Sequence, residues 1–202
     1  MSRTAPSDAE LIRRSLDSPE VFRDLFKRHF GAVRRYAQRV VGLDAGEELA
    51  AETFLVAFER RDTFDLNVNS ARPWLFGIAH NMIRHHLRAQ KRRNEALKRG
   101  PVDIEQSDAL DEDALTAAWA TPRLVEAFRT LQREDRECFL LVALGDLTYQ
   151  ETASVLGIPS GTVRSQIHRI RAKIRELLPD PREISDDRER ASVEQTDPED
   201  HA

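Results

Sequence analysis

Residues 147–171 constrain this chain more than any other stretch, because caps, turn and periodicity together fix two helices around a tight turn. Thr148 is a good helix N-cap, and Glu151 three residues later completes a capping box. Tyr149, Ala153 and Leu156 then make an apolar stripe, and Gly157 ends the helix by supplying a positive φ. Ser160 or Thr162 is placed to cap a second helix, on which Val163, Ile167, Ile170, Ile174 and Leu177 recur at steps of three and four and so face inward. Arg164, His168, Arg171 and Arg175 form the opposite stripe, with Ser165 and Arg169 flanking it near the N-terminal end. This is a helix-turn-helix with a basic second helix, whose side chains can reach phosphates and guanine edges in a major groove. Arginines alone would suit any solvated helix face; turn, caps and charge asymmetry together are far more specific.

At 202 residues the chain is long enough for one large domain or two small ones, and 40% apolar residues support modest cores. A single cysteine, Cys138 in an apolar setting, excludes an internal disulfide framework and any multi-cysteine zinc site, and reads as a buried thiol. No apolar run approaches the roughly 20 residues of a membrane span, and the first residues lack the pattern of a signal peptide, so the expected location is cytoplasmic. The net charge of -4 conceals segregation. Residues 84–99 hold seven Lys or Arg against one acid, Glu95, whereas 101–122 hold six acids and no Lys or Arg. The whole-chain charge therefore says little about affinity for nucleic acid.

Helical periodicity dominates, which predicts an all-α chain. Val21, Phe22, Leu25, Phe26 and Phe30 begin an amphipathic helix that Val33, Tyr36, Ala37, Val40 and Val41 continue, with Pro19 in its first turn. After a break at 42–46, Leu49, Ala50, Thr53, Phe54, Ala57 and Phe58 form the core face of a helix opening with Glu47 and Glu48. A loop over 61–72 precedes Pro73, which starts a helix carrying Trp74, Leu75, Ile78, Ala79, Met82, Ile83 and Leu87 and ending in basic residues. A second unit starts after Pro122 and closes with the helix-turn-helix. The predicted organisation is a flexible N-terminus over 1–18, a helical domain over 19–94, an acidic flexible linker over 95–121, a helix-turn-helix domain over 122–178 and a disordered acidic tail over 179–202.

These two units in this order resemble the extracytoplasmic function (ECF) group of the bacterial sigma-70 factors. The resemblance rests on Phe22-Arg23-Asp24-Leu25-Phe26-Lys27-Arg28-His29, on the helix 47–58, on Pro73-Trp74-Leu75-Phe76-Gly77-Ile78-Ala79-His80-Asn81 and on Gly161-Thr162-Val163-Arg164-Ser165. It implies a non-enzymatic promoter-specificity subunit that binds core RNA polymerase and promoter DNA through sigma regions 2 and 4, controlled by an anti-sigma factor. By the same resemblance Glu48, Ala51, Glu52 and Leu55 contact polymerase, although Glu48-Leu49-Ala50-Ala51 stands where the family has Asp-Leu-Val-Gln and the glutamine contact does not transfer to Ala51. The loop 64–71 resembles the family's base-capturing loop for the -10 element, with Phe64 for packing and Asp65, Asn67, Asn69 and Asn81 for polar edge contacts. Arg84, Arg88, Lys91, Arg92 and Arg93 would neutralise strand phosphates, and His85 stands where the family has Asp or Asn. Thr162, Arg164, Ser165, His168, Arg169 and Arg171 are the implied contacts of the -35 element.

Enzyme chemistry finds no support: there is no Gly-rich phosphate loop, no nucleophile elbow and no set of metal ligands at helical spacing. His80, His85 and His86 read as DNA-facing or surface residues rather than ligands. No cofactor, small-molecule substrate or membrane insertion is expected. The rival reading is a stand-alone dimeric helix-turn-helix regulator, which would need a dimer seam that the sequence does not offer.

Overall fold

The computed structural model describes residues 5–98, 128 and 130–177. Among them every regular element is helical, in seven α-helices. The first domain holds α1 (Asp8–Asp17), α2 (Phe22–Val41), α3 (Leu43–Glu59) and α4 (Arg72–Lys98); the second holds α5 (Arg133–Phe139), α6 (Tyr149–Leu156) and α7 (Ser160–Leu177).

Helix α1 corrects the expected flexible N-terminus over 1–18. Ser7 caps it, its hydroxyl accepting from the Glu10 N–H at 3.2 Å, and Leu11 and Ile12 are fully buried against the first domain. The apolar side of one short helix thus completes a core that α2, α3 and α4 leave open. A single 3-10 turn, Pro19–Val21, leads into α2.

Among the described residues, helices α2 and α3 form the most extensive pair. Gly42, at φ 88°, is the whole of the break between them, and α3 begins four residues earlier than its acidic pair suggests. Gly46, read from sequence as part of that break, lies inside α3 where the helices touch: a Cβ there would sit 2.5 Å from the Gln38 backbone. Around this contact Leu25, Val33, Tyr36, Ala37 and Val40 of α2 meet Ala50, Phe54 and Ala57 of α3 and Leu75, Phe76, Ala79, Ile83 and Leu87 of α4. Helix α4 runs through Lys98, so the expected boundary at 94 falls inside a helix. Glu95, Ala96, Leu97 and Lys98 are all good helix formers, and a basic run does not end a helix. The remainder of the acidic linker, residues 99–121, and the acidic tail 179–202 lie outside the described residues.

In the second domain α5 continues through a π-helical turn, Leu140–Leu144. Thr148 and Glu151 make the reciprocal capping box of α6: the Glu151 N–H donates to the Thr148 hydroxyl at 3.2 Å and the Thr148 N–H to the Glu151 carboxylate at 2.9 Å. Gly157 takes the left-handed conformation, φ 65°, that closes α6 and turns the chain toward α7. Val163, Ile167 and Ile170 are buried beneath α5 and α6, together with Cys138. Burial pushes the Cys138 thiol up to about 11, with Asp135 adding to the rise and Arg169 opposing it, so the thiol stays protonated at neutral pH.

Candidate nucleic-acid and polymerase interfaces

Helix α7 carries its burial on one side. Beneath lie Val163, Gln166, Ile167 and Ile170; above, Thr162, Arg164, Ser165, His168, Arg169 and Arg171 are all exposed. Two of the six are already engaged. The Ser165 hydroxyl donates back to the Gly161 carbonyl at 3.0 Å, and Arg169 donates to Asp135 on α5 at 2.9 Å. Arg164, His168 and Arg171 carry the outward basic stripe, while Arg169 is braced to the domain's own core.

On α3, Glu48, Ala51, Glu52 and Leu55 occupy one exposed face, opposite the buried Leu49, Ala50, Thr53, Phe54 and Ala57. Leu55, 57% exposed, and Ala51 set apolar groups beside Glu48 and Glu52 on that face. The helix packing thus brings the four predicted polymerase contacts together.

The loop between α3 and α4 is pinned at its ends and open in its middle. Phe64 is buried, its ring 5.2 Å from that of Trp74, and Ala71 is fully buried. Between them Asp65, Asn67 and Asn69 are exposed, and the Asp65 carboxylate accepts from the Asn67 backbone and side-chain amides at 3.0 and 2.8 Å. Phe64 is therefore an anchor, and the polar groups are what the loop presents. Leu66 and Val68, which sequence reasoning passed over, are 43% and 45% exposed on the same loop. Their apolar character in a segment of turn residues is the signal that marks them.

On α4, Asn81, His85 and Arg92 are exposed and Arg88 is half-buried. The neighbouring stripe, Arg72, Phe76, His80 and Arg84, faces the second domain. The Arg72 guanidinium donates to the carbonyls of Gly145 and Asp146 at 3.0 and 2.9 Å and lies 3.4 Å from Glu151. Arg84 pairs with Glu137 of α5 at 3.1 Å, and Arg39 of α2 donates to the Leu144 carbonyl at 2.9 Å. Arg84, assigned from sequence to strand phosphates, is thus taken up by a carboxylate of the other domain. His80 corrects the reading of the histidine cluster as surface: it is buried, its Nδ1 2.9 Å from the Tyr36 hydroxyl and its Nε2 3.9 Å from Glu137. Burial and the Glu137 charge push the Tyr36 hydroxyl well above its ordinary range. Burial would likewise raise Glu137, but His80 and Arg133 outweigh it and hold that carboxyl below the usual value. Among the described residues no group of three or more His, Cys, Asp or Glu is arranged to hold a metal, and no helix is long and apolar enough to cross a membrane.

Comparison with known proteins gives two family matches that together span both domains: sigma-70 region 2 over residues 25–93 and sigma-70 region 4 over residues 122–174. The chain is 31% identical over 169 residues to the RNA polymerase sigma factor CarQ of Myxococcus xanthus, covering 79% of this chain and 90% of that protein. It is 30% identical over 173 residues to the ECF RNA polymerase sigma factor BldN of Streptomyces coelicolor, covering 85% of this chain and spanning 66% of that relative's length. Among solved structures, the sigma factor RpoE in complex with the anti-sigma factor NepR from Bartonella quintana shares the fold, with a TM-score of 0.55 at 22% identity over 77% of this chain and 95% of the other.

Proposed function

The chain belongs to the ECF group of the sigma-70 family, and from that premise we propose that it is a promoter-specificity subunit that binds core RNA polymerase, reads promoter DNA and directs transcription initiation. The observation that carries this reading is the pairing, in one chain, of an outward basic stripe on α7 with an acidic, apolar-centred face on α3. The first suits duplex DNA and the second a protein partner; a DNA-binding module alone would need only the first.

The roles divide by surface. Arg164, His168 and Arg171, with Thr162, Ser165 and Arg169, contact the -35 duplex. Glu48, Ala51, Glu52 and Leu55 dock on polymerase. The loop 64–71 holds a base extruded from the -10 element, offering Asp65, Asn67 and Asn69, with Asn81 on the adjoining α4. Extrusion costs a few kcal/mol, which the loop recovers through stacking and edge contacts. Arg84, His85, Arg88 and Arg92 run beside the strand, where their charge adds affinity with little sequence choice. The chain performs no catalysis of its own, works in the cytoplasm where polymerase and promoters are, and is restrained by an anti-sigma factor. The relative captured with NepR supports the last point.

The test is run-off transcription from a genomic-fragment library with core RNA polymerase, with and without this chain, followed by mapping of the new start sites. New starts sharing two spaced elements are expected. Tight binding of duplex DNA by the chain alone, with no new starts, would replace this reading with a stand-alone regulator.

A further inference from the structure

Asp8 ties the exit of the α3–α4 loop to the body of the first domain. Between the buried Phe64 and Ala71, the loop is held largely by its own bonds: Asp65 accepts from Asn67 through its carboxylate and from the Val68 N–H through its carbonyl at 3.2 Å. Two further backbone bonds link it to another element, and both fall on one residue. The Asp8 N–H donates to the Asn69 carbonyl at 3.2 Å, and the Ala71 N–H donates to the Asp8 carboxylate at 2.8 Å. Asp8 is itself held from α2, where His29 Nε2 lies 2.7 Å from the same carboxylate oxygen and Arg28 donates to the other. Its residue is 3% exposed.

A buried carboxylate needs partners, and Arg28 and His29 already supply them. Anchoring α1 to α2 would require nothing more. Engaging the loop backbone on both sides of Ser70 does something else: it fixes where Asn69 stands and the angle at which the chain enters α4, the helix that carries Asn81. Burial would raise the Asp8 pKa, but the bonds from His29, Ala71 and Arg28 and the electrostatic attraction of His29 hold it below the usual carboxylate range, so the clasp is ionised at neutral pH.

We propose that Asp8 is a positioning residue for base selection, setting through Asn69 and Ala71 the geometry with which the loop holds its extruded base. This rests on the reading of that loop as the -10 element reader. Asp8 touches no DNA; it acts through the loop, and α1 is thereby part of the -10 machinery.

The experiment uses the full chain bound to core RNA polymerase and two single-stranded oligonucleotides. One carries the -10 element mapped by run-off transcription, and the other has its extruded base replaced. The quantity read is the ratio of the two affinities, which a variant that merely unfolds in part does not change, since unfolded molecules bind neither. Asp8→Ala is expected to lower this ratio roughly tenfold while core polymerase and -35 duplex affinities stay within about twofold. Asp8→Asn keeps an oxygen for Ala71 and His29, while Arg28, 37% exposed at its side chain, swings away from the new amide. It is expected to lose thermal stability but retain most of the discrimination, whereas Asp8→Ser, whose hydroxyl is too short to reach Ala71 and His29 together, is expected to lose it as Asp8→Ala does and stands in where Asp8→Ala does not fold. An unchanged ratio in Asp8→Ala or Asp8→Ser, or an equal loss in Asp8→Asn, would overturn the proposal while leaving the loop's role intact. A wild-type ratio near one would remove the loop's role and the proposal together.

Discussion

Replacing Gly46 with Ala sets two effects of opposite sign against each other. In the interior of an exposed helix the exchange stabilises by about 1 kcal/mol, because Ala loses less backbone freedom on folding. At position 46 the added Cβ would lie 2.5 Å from both the Gln38 Cα and N and 2.8 Å from the Ala37 carbonyl carbon. All three are backbone atoms of α2, so no rotamer change relieves the clash, and ordinary contact requires the helices to part by about 1 Å. Overpacking of this kind costs about 1–3 kcal/mol. A gap approaching 1 Å also forfeits a quarter to a half of each dispersion contact across the pair, where Val33 and Ala37 meet Ala50 and Phe54. The upper part of that range therefore applies, and after the propensity gain the net expectation is a loss of about 2 kcal/mol.

Gly77→Ala on α4 is the matched control, since a Cβ there meets nothing within 4 Å. It should gain up to about 1 kcal/mol, so urea denaturation followed by circular dichroism should separate the two variants by about 3 kcal/mol. The displaced helix also carries Glu48, Ala51, Glu52 and Leu55, so affinity for core polymerase should fall in the first variant and not in the second. A Gly46→Ala protein as stable as the wild type would refute the close approach of α2 and α3 on which the proposed polymerase face depends.

The double replacement of Arg164 and Arg171 by Ala, which leaves the Arg169–Asp135 pair intact, should weaken binding of the -35 duplex and flatten its salt dependence by about one unit of slope per lost phosphate contact; unchanged affinity in a salt titration would remove α7 as the reading helix. Asn81→Ala should impair open-complex formation, followed by permanganate reactivity of unpaired thymines, while leaving polymerase affinity alone, and a normal open complex would contradict its place beside the -10 strand. Glu137 has its pKa held below the ordinary carboxylate range, so its grip on Arg84 is complete above that range and is lost as pH falls through the lowered value. Energy transfer between labels on α2 and α7 should accordingly drop only on strong acidification, and Glu137→Gln should lower it already at neutral pH, at a cost to the contact of about 2 kcal/mol.

What was legible in the sequence was what short-range chemistry dictates. Thr148, Glu151 and Gly157 announce α6 and its turn because a capping box and a left-handed residue are satisfied within four positions. The buried faces of α2, α3, α4 and α7 follow from spacing alone. Helix α1 had a local signal too, a Ser7 cap three residues before Glu10, but a ten-residue amphipathic helix is stable only when a groove receives it. That groove is made by helices later in the chain. His80 shows the same limit more sharply: its partners, Tyr36 and Glu137, are 44 and 57 positions away, and neither is visible from the local pattern of Ile78, Ala79, Met82 and Ile83.

The cross-domain contacts give α4 two stripes that share an edge. Arg72, Phe76, His80 and Arg84 repeat every four residues against the second domain, while Asn81, His85, Arg88 and Arg92 lie on the adjoining face. Arg84 belongs to the first by its bond to Glu137 and to the second by its assignment to the strand phosphates. One guanidinium cannot serve both fully, so on that proposed assignment occupancy of the two is linked: holding Glu137 should lower the affinity of α4 for a single strand, and a bound strand should lower the affinity of the domains for one another by the same factor. Arg84→Ala should then weaken single-strand binding less than Arg92→Ala does, because only Arg84 must first leave a carboxylate, and an equal or larger effect of Arg84→Ala would refute the linkage.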